Sequence, residues 1–190
     1  MARRLLGSDA VHPQTIRFAA EVHGKPFVKE PPQARQPFNV AHTDGLVMCG
    51  IGNHSHELVG VDVERLDRRT DPGLADRYFS PPEVQYLHSH SSDQARRLAF
   101  LKIWTLKESF IKAIGTGLST PLADFAFENI DSQTPSIRML NPKLEDGQSW
   151  SFYSITPRSG FIGAVAVATK SDANIQLELC CFDDLVDTIS

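Results

Sequence analysis

Two carboxylates separated by one residue, in the segment Gly60-Val-Asp-Val-Glu64, are the first pair whose types and spacing could do chemistry. Side chains alternate along an extended strand, so Asp62 and Glu64 point one way, about 7 Å apart, while Val59, Val61 and Val63 point the other. Like charges that close repel unless something positive sits between them. A hard divalent cation such as Mg²⁺ meets that need, because carboxylates are its preferred protein ligands and water or phosphate oxygens complete its shell. For such a dipeptide alone the commoner meaning is plainer: two acids on the solvent face of an amphipathic edge strand.

A second group lies on a predicted helix, Trp104-Thr-Leu-Lys-Glu-Ser-Phe-Ile-Lys112. Trp104, Glu108 and Lys112 recur at four-residue steps and share a face. Spacing alone makes Glu108 and Lys112 an ion pair worth roughly 0.2–0.5 kcal/mol. The functional alternative makes Glu108 a third metal-ligating carboxylate and Lys112 a phosphate contact. Glu83 completes the capping box Ser80-Pro-Pro-Glu83, a local reason sufficient for its presence. His42 fits either a loop histidine bonded to backbone or a phosphate contact. The pairs His54/His56 and His88/His90 lack Cys or carboxylate partners at ligand spacing, which argues against zinc. No P-loop, dinucleotide-binding or nucleophile-elbow glycine pattern is present.

These groups need elements to hold them. Apolar runs predict strands over 46–52 and 58–64, with the polar stretch 53–57 as a hairpin loop between them. Asp71-Pro72 and Ser80-Pro81 are helix starts. The longest helix runs from about 93 to 114: Leu98, Leu101, Leu106, Phe110 and Ile114 recur at helical steps, and Gly115 and Gly117 supply the stop. Strands follow over 125–127, 137–140, 150–155 and 161–168, with a further one over 175–182. Residues 1–37 are Pro-rich and weakly structured by this reading. The order predicts an α+β fold with an antiparallel sheet against the long helix.

Composition narrows the classes. With 41% hydrophobic and 22% charged residues among 190, the chain can bury a core, which excludes a disordered or fibrous protein. A net charge of −4 without a long Lys/Arg run argues against a general nucleic-acid surface. Cys49, Cys180 and Cys181 form neither a disulfide framework nor a C-x-x-C pair, so a reducing cytoplasm is the expected location. The longest apolar run, 161–169, is too short for a bilayer, and no membrane association is expected.

Taken in order, Gly24-Lys-Pro26, Phe38-Asn-Val-Ala-His-Thr43, Gly60-Val-Asp-Val-Glu64, Arg77-Tyr-Phe-Ser-Pro-Pro-Glu83 and Trp104 to Lys112, followed by Gly115-Thr-Gly-Leu118, resemble the surfactin-synthetase-activating class of 4'-phosphopantetheinyl transferases. The resemblance covers residues 16–127. It implies a pseudo-twofold fold of two α+β halves. Residues 1–60 would be an incomplete N-terminal half on the coenzyme A adenine side, and 61–190 the C-terminal half on the metal and carrier side. It implies transfer of the 4'-phosphopantetheine arm of coenzyme A, as substrate, onto a serine of an apo acyl or peptidyl carrier protein, with 3',5'-ADP released and Mg²⁺ as cofactor. Asp62, Glu64 and Glu108 match the metal positions, and Lys112 the lysine on the phosphates. Glu83 matches the acid that helps deprotonate the carrier serine, so Glu83, Lys112 and Glu108 are the expected catalytic residues. His42 matches a coenzyme A phosphate contact, and Gly24, Lys25 and Pro26 the segment beside adenine and ribose. For the 3'-phosphate only Arg3, Arg4 or Lys25 are on offer. A monomer is expected. Two readings compete: a truncated, non-catalytic module that binds a carrier protein or nucleotide, and a structural α+β domain whose acid-lysine helix is merely solvated.

Overall fold

The computed structural model describes residues 11–171 and 174–181. Strands β1 (Arg17–Ala20) and β2 (Pro26–Glu30) form one antiparallel hairpin, and β3 (Phe38–Thr43) and β4 (Leu46–Ile51) a second. β5 (His56–Arg65) leads into three helices, α1 (Ala75–Tyr78), α2 (Pro81–His88) and α3 (Asp93–Ile114). β6 (Phe125–Glu128) pairs with β7 (Ser136–Met139). β8 (Ser149–Ile155) and β9 (Phe161–Thr169) join β5 in an antiparallel sheet ordered β5-β9-β8. The α+β arrangement with antiparallel sheets against a long helix is the one the order of elements predicts.

Alternation along two strands builds the layers. In β9, Ile162, Ala164 and Ala166 enter the core beneath α3, while Val165 and Val167 enter a second core with Ala41 and Met48 of the β3–β4 hairpin. β5 divides likewise: Val59, Val61 and Val63 join the hairpin side. Gly60 faces the helix, where an added Cβ would stand 2.0 Å from the Ser109 carbonyl oxygen and 2.4 Å from the Ala113 nitrogen. Only a residue without Cβ lets α3 lie so close to this strand. The hairpin is tied to β5 by Asn39, whose buried side-chain oxygen accepts from the Val61 N–H at 3.0 Å.

α3 is capped as its ends demand. The Ser92 side chain accepts from the Ala95 N–H, and Gly115 is left-handed at φ 71°, its N–H donating to the Ile111 carbonyl. Its apolar face is anchored by Phe110, whose ring lies 4.8 Å from Phe125 and 4.9 Å from Trp150. Burying a ring of this size contributes roughly 1.5–3 kcal/mol, which fixes the rotation of the helix and hence the direction of its polar face. Among the described residues no helix is long and apolar enough to cross a membrane.

Several expectations are corrected. The stretch 53–57 does not join ladder partners: β4 pairs with β3 and β5 pairs with β9. The β3–β4 hairpin closes on the two-residue loop Asp44-Gly45, Gly45 at φ 83°, a local turn signal that outweighs adjacency in the chain. The opening segment contains β1 and β2 where little structure was expected. Residues 175–181 carry no strand; Ile175 packs beside the valine core and its carbonyl accepts from the Tyr153 hydroxyl at 3.0 Å. Phe182, Arg3 and Arg4 lie outside the described residues.

Candidate active site

The acids of β5 are not on a solvent face. Asp62 is 5% and Glu64 8% exposed, because α3 covers the side of β5 opposite the valines. α3 brings Glu108, half-buried, and Lys112 to the same seam. Lys112 Nζ donates to Asp62 Oδ1 at 2.6 Å, whereas Asp62 Oδ2 is buried with no partner among the described residues. Glu64 Oε1 accepts from Arg68 Nη1, and the Arg68 guanidinium lies 6.0 Å from the centre of the Trp104 ring. Glu108 is left without a hydrogen-bond partner among the described residues.

Burial dominates the electrostatics. It pushes the Asp62 carboxyl up to about 7, against the pull of the Lys112 ammonium, and the charges of Glu64 and Glu108 push the same way as burial. Glu108 is also raised, first by burial, with Lys112 opposing and Glu64 reinforcing. Three acids packed around one lysine and one arginine thus leave an excess of negative charge in a low-dielectric seam. A buried, partnerless carboxylate oxygen is costly unless some cation uses it. The donor set, all carboxylate oxygen, fits a hard divalent ion. As the side chains stand, no three acidic, histidine or cysteine groups among the described residues close on one point: Asp62 leans on Lys112 and Glu64 on Arg68.

Glu83 is a correction. It is fully buried at the start of α2, in the capping box with Ser80, its Oε2 accepting from the Ser80 N–H at 3.0 Å and hydroxyl at 2.5 Å. Lys107 Nζ lies 2.8 Å from the same oxygen, and Oε1 accepts from the Phe127 N–H at 2.9 Å. No substrate hydroxyl reaches a carboxylate with every oxygen engaged inside the core, so Glu83 is a structural anchor rather than the base. His42 is also separate from the acids: it is exposed on β3, on the opposite side from Ala41. Of the Gly24, Lys25 and Pro26 segment, Gly24 makes the β1–β2 turn at φ 85°, and the Lys25 ammonium donates to the Ala113 carbonyl at the end of α3, next to Lys112. Pro26 begins β2.

Sequence reasoning missed Lys107 and Arg68. Lys107 is fully buried, donates to the Leu122 and Phe125 carbonyls at 2.6 and 2.8 Å, and sits 4.1 Å from the centre of the Phe125 ring. Its position four residues after Ile103 and three before Phe110, both core, was the available signal. Arg68 lies in a polar run with no periodicity to mark it. A hollow of about 690 Å³, lined by Thr70, His88, Arg96 and Arg97 among others, opens beside the first turns of α3 and does not include the acids.

Fold and site together define an α+β protein with an acid-lysine seam between one strand and one helix. The family model of the 4'-phosphopantetheinyl transferase superfamily matches residues 58–169, which contain that whole seam, and the chain belongs to this superfamily. It is 32% identical over 150 residues to the 4'-phosphopantetheinyl transferase gsp of Aneurinibacillus migulanus, covering 75% of this chain and 60% of that protein. It is 31% identical over 170 residues to HetI of Nostoc sp., a 4'-phosphopantetheinyl transferase, covering 87% and 67%. Holo-[acyl-carrier-protein] synthase of Helicobacter pylori, solved in complex with coenzyme A, matches 58% of this chain and 99% of its own at 21% identity and a TM-score of 0.45. The chain therefore spans about 60% of the length of gsp and 67% of HetI.

Proposed function

We propose that this chain moves the 4'-phosphopantetheine arm of coenzyme A to the serine hydroxyl of an apo acyl or peptidyl carrier protein, releasing 3',5'-ADP, with Mg²⁺ as cofactor. The observation that carries the reading is the seam itself: Asp62, Glu64, Glu108 and Lys112 gathered from β5 and α3, with one buried Asp62 oxygen unpartnered among the described residues. Membership of the superfamily supports it.

In this reading Asp62, Glu64 and Glu108 hold the Mg²⁺, which when bound neutralises charge on the diphosphate oxygens. Lys112 offers its remaining donors to a phosphate oxygen from the end of a helix whose rotation the aromatic core fixes. The serine oxygen forms a bond to the phosphorus nearest the pantetheine, the bond from that phosphorus to the bridging oxygen breaks, and 3',5'-ADP leaves with that oxygen. Such displacements need positioning and charge neutralisation more than covalent help. The serine proton leaves to solvent at the half-buried edge of the seam beside Glu108, whose carboxylate is committed to the ion in this reading. Lys25, beside the end of α3, keeps two donors for the adenine side together with Gly24 and Pro26, and exposed His42 serves a coenzyme A phosphate. We place the reaction in the cytoplasm, carried out by a monomer.

The test is mass spectrometry of an apo carrier protein incubated with the chain, coenzyme A and Mg²⁺. The carrier should gain the mass of the phosphopantetheine arm. Asp62→Ala and Glu108→Ala should abolish the gain while keeping a cooperative unfolding transition; full rate in both variants would end the metal assignment. Carrier binding with no product at any Mg²⁺ concentration would leave the non-catalytic module as the better account.

A further inference from the structure

The seam has two cations of its own, and they are not equivalent. Lys112 belongs to α3 and bonds Asp62 from the helix end. Arg68 comes from the polar segment just past β5 and takes Glu64, four residues before it. The arginine side chain is 45% exposed and that of Glu64 only 10%, so the pair sits at the mouth of the seam with the guanidinium outward. Its other contact is the face of Trp104, a resting place that does not depend on Glu64. The guanidinium also lies near enough to Glu108 to draw its carboxyl down. With Arg68 on Glu64 and Lys112 on Asp62, the acids of the seam do not close on one point among the described residues.

Resting on the metal reading above, we infer that Arg68 is a built-in counter-ion for Glu64 that occupies the carboxylate when the divalent ion is absent and yields it when the ion binds, remaining on the Trp104 face. Arg68 acts through Glu64 and is a positioning residue. Charge bookkeeping supports the exchange: without metal, three carboxylates face two cations, and a divalent ion makes one of those cations redundant at Glu64. The exchange is cheap on the arginine's side, because its guanidinium is 45% exposed and stays hydrated, and Glu64, only 10% exposed, trades one cation for another rather than being left buried and unpaired. Trp104 then reports the exchange, because a guanidinium on its face that no longer shares its charge with Glu64 polarises the indole more strongly and changes its emission. The second tryptophan, Trp150, is packed against Phe110 and Phe152, away from Arg68.

The experiment is a Mg²⁺ titration of the free protein, without coenzyme A, followed by calorimetry and by Trp104 emission in a Trp150→Phe background, for wild type, Arg68→Gln and Arg69→Gln. Arg69 is exposed and is the control for simple removal of a nearby charge. Arg68→Gln should bind Mg²⁺ about two- to five-fold more tightly and lose the Mg²⁺-dependent change in emission; Arg69→Gln should keep both at wild-type values. Equal affinity in Arg68→Gln and wild type, weaker binding in Arg68→Gln, or equal tightening in both variants would overturn the exchange. If wild type and both variants bind no Mg²⁺ by calorimetry, it is the metal reading that fails.

Discussion

Replacing Glu83 by Gln separates an anchor from a base. In the folded chain Glu83 Oε2 accepts from the Ser80 N–H, the Ser80 hydroxyl and Lys107 Nζ, and Oε1 accepts from the Phe127 N–H. Every direction around the carboxylate holds a donor, so the glutamine amide must point a donor at a donor whichever way it turns. Lys107, 0% exposed, keeps the Leu122 and Phe125 carbonyls and the faces of Phe79 and Phe125, but no anion, for its charge. Removing one partner of a buried pair costs about 3–5 kcal/mol. For a chain of this size each kcal/mol lowers Tm by about 2–4 °C, so the variant should melt roughly 6–20 °C below wild type. The double variant Glu83→Gln, Lys107→Met should recover part of the loss, since the uncompensated ammonium is gone. Transfer measured well below the melting transition should stay within about three-fold of wild type, because neither side chain reaches the seam of Asp62 and Glu108. The assays are thermal unfolding and carrier modification on the same preparations. A Glu83→Gln protein with unchanged Tm and transfer reduced by orders of magnitude would refute the anchor and restore the base.

Four further outcomes follow from the geometry. Gly60→Ala puts a Cβ 2.0 Å from the Ser109 carbonyl oxygen; relief requires α3 to retreat by about 1 Å, costing roughly 1–3 kcal/mol, and Tm and Mg²⁺ affinity should fall together. Asp62 keeps its proton to about pH 7 in the folded chain but loses it near pH 4 when unfolded, so this group favours the folded state at low pH and that advantage disappears as pH rises through the interval. Melting curves should therefore show Asp62→Asn gaining on wild type from pH 4 to 7 and no further above it. Mg²⁺ at about 100 times its Kd should stabilise by about 2.7 kcal/mol, a rise in Tm that chelation reverses and that Asp62→Asn abolishes. Lys25→Met removes the donor on the Ala113 carbonyl and should cost about 1 kcal/mol in thermal unfolding through the uncapped end of α3.

Local signals carried much of the fold. The capping box at Ser80 and Glu83, the Gly115 stop and the apolar steps of α3 are contained within a few residues each, so they are legible without partners. The pairing of β5 with β9 is not, because it joins segments a hundred residues apart through small side chains that carry no address. Valine alternation in β5 told which way Asp62 and Glu64 point but not what they face: an acid opposite solvent and an acid opposite a helix have the same sequence. Gly60 was the unread clue, since a glycine inside a strand pattern marks a close approach. Lys107 stayed hidden because lysine is so rarely buried that its place on the apolar face of the helix was outweighed by its type. Glu83 was legible as a cap and was then given, by resemblance, a second task that its surroundings forbid.

β5 supplies valines to one layer and acids to the other in strict alternation, bonded along its length to β9. Loss of a single residue from this strand would turn Asp62 and Glu64 into the aliphatic layer beneath the hairpin and bring the valines out against α3. Shape and reactivity would be forfeited in one event, with no intermediate in which one survives the other. Length variation is tolerable in the turns at either end of this segment, and within it not at all.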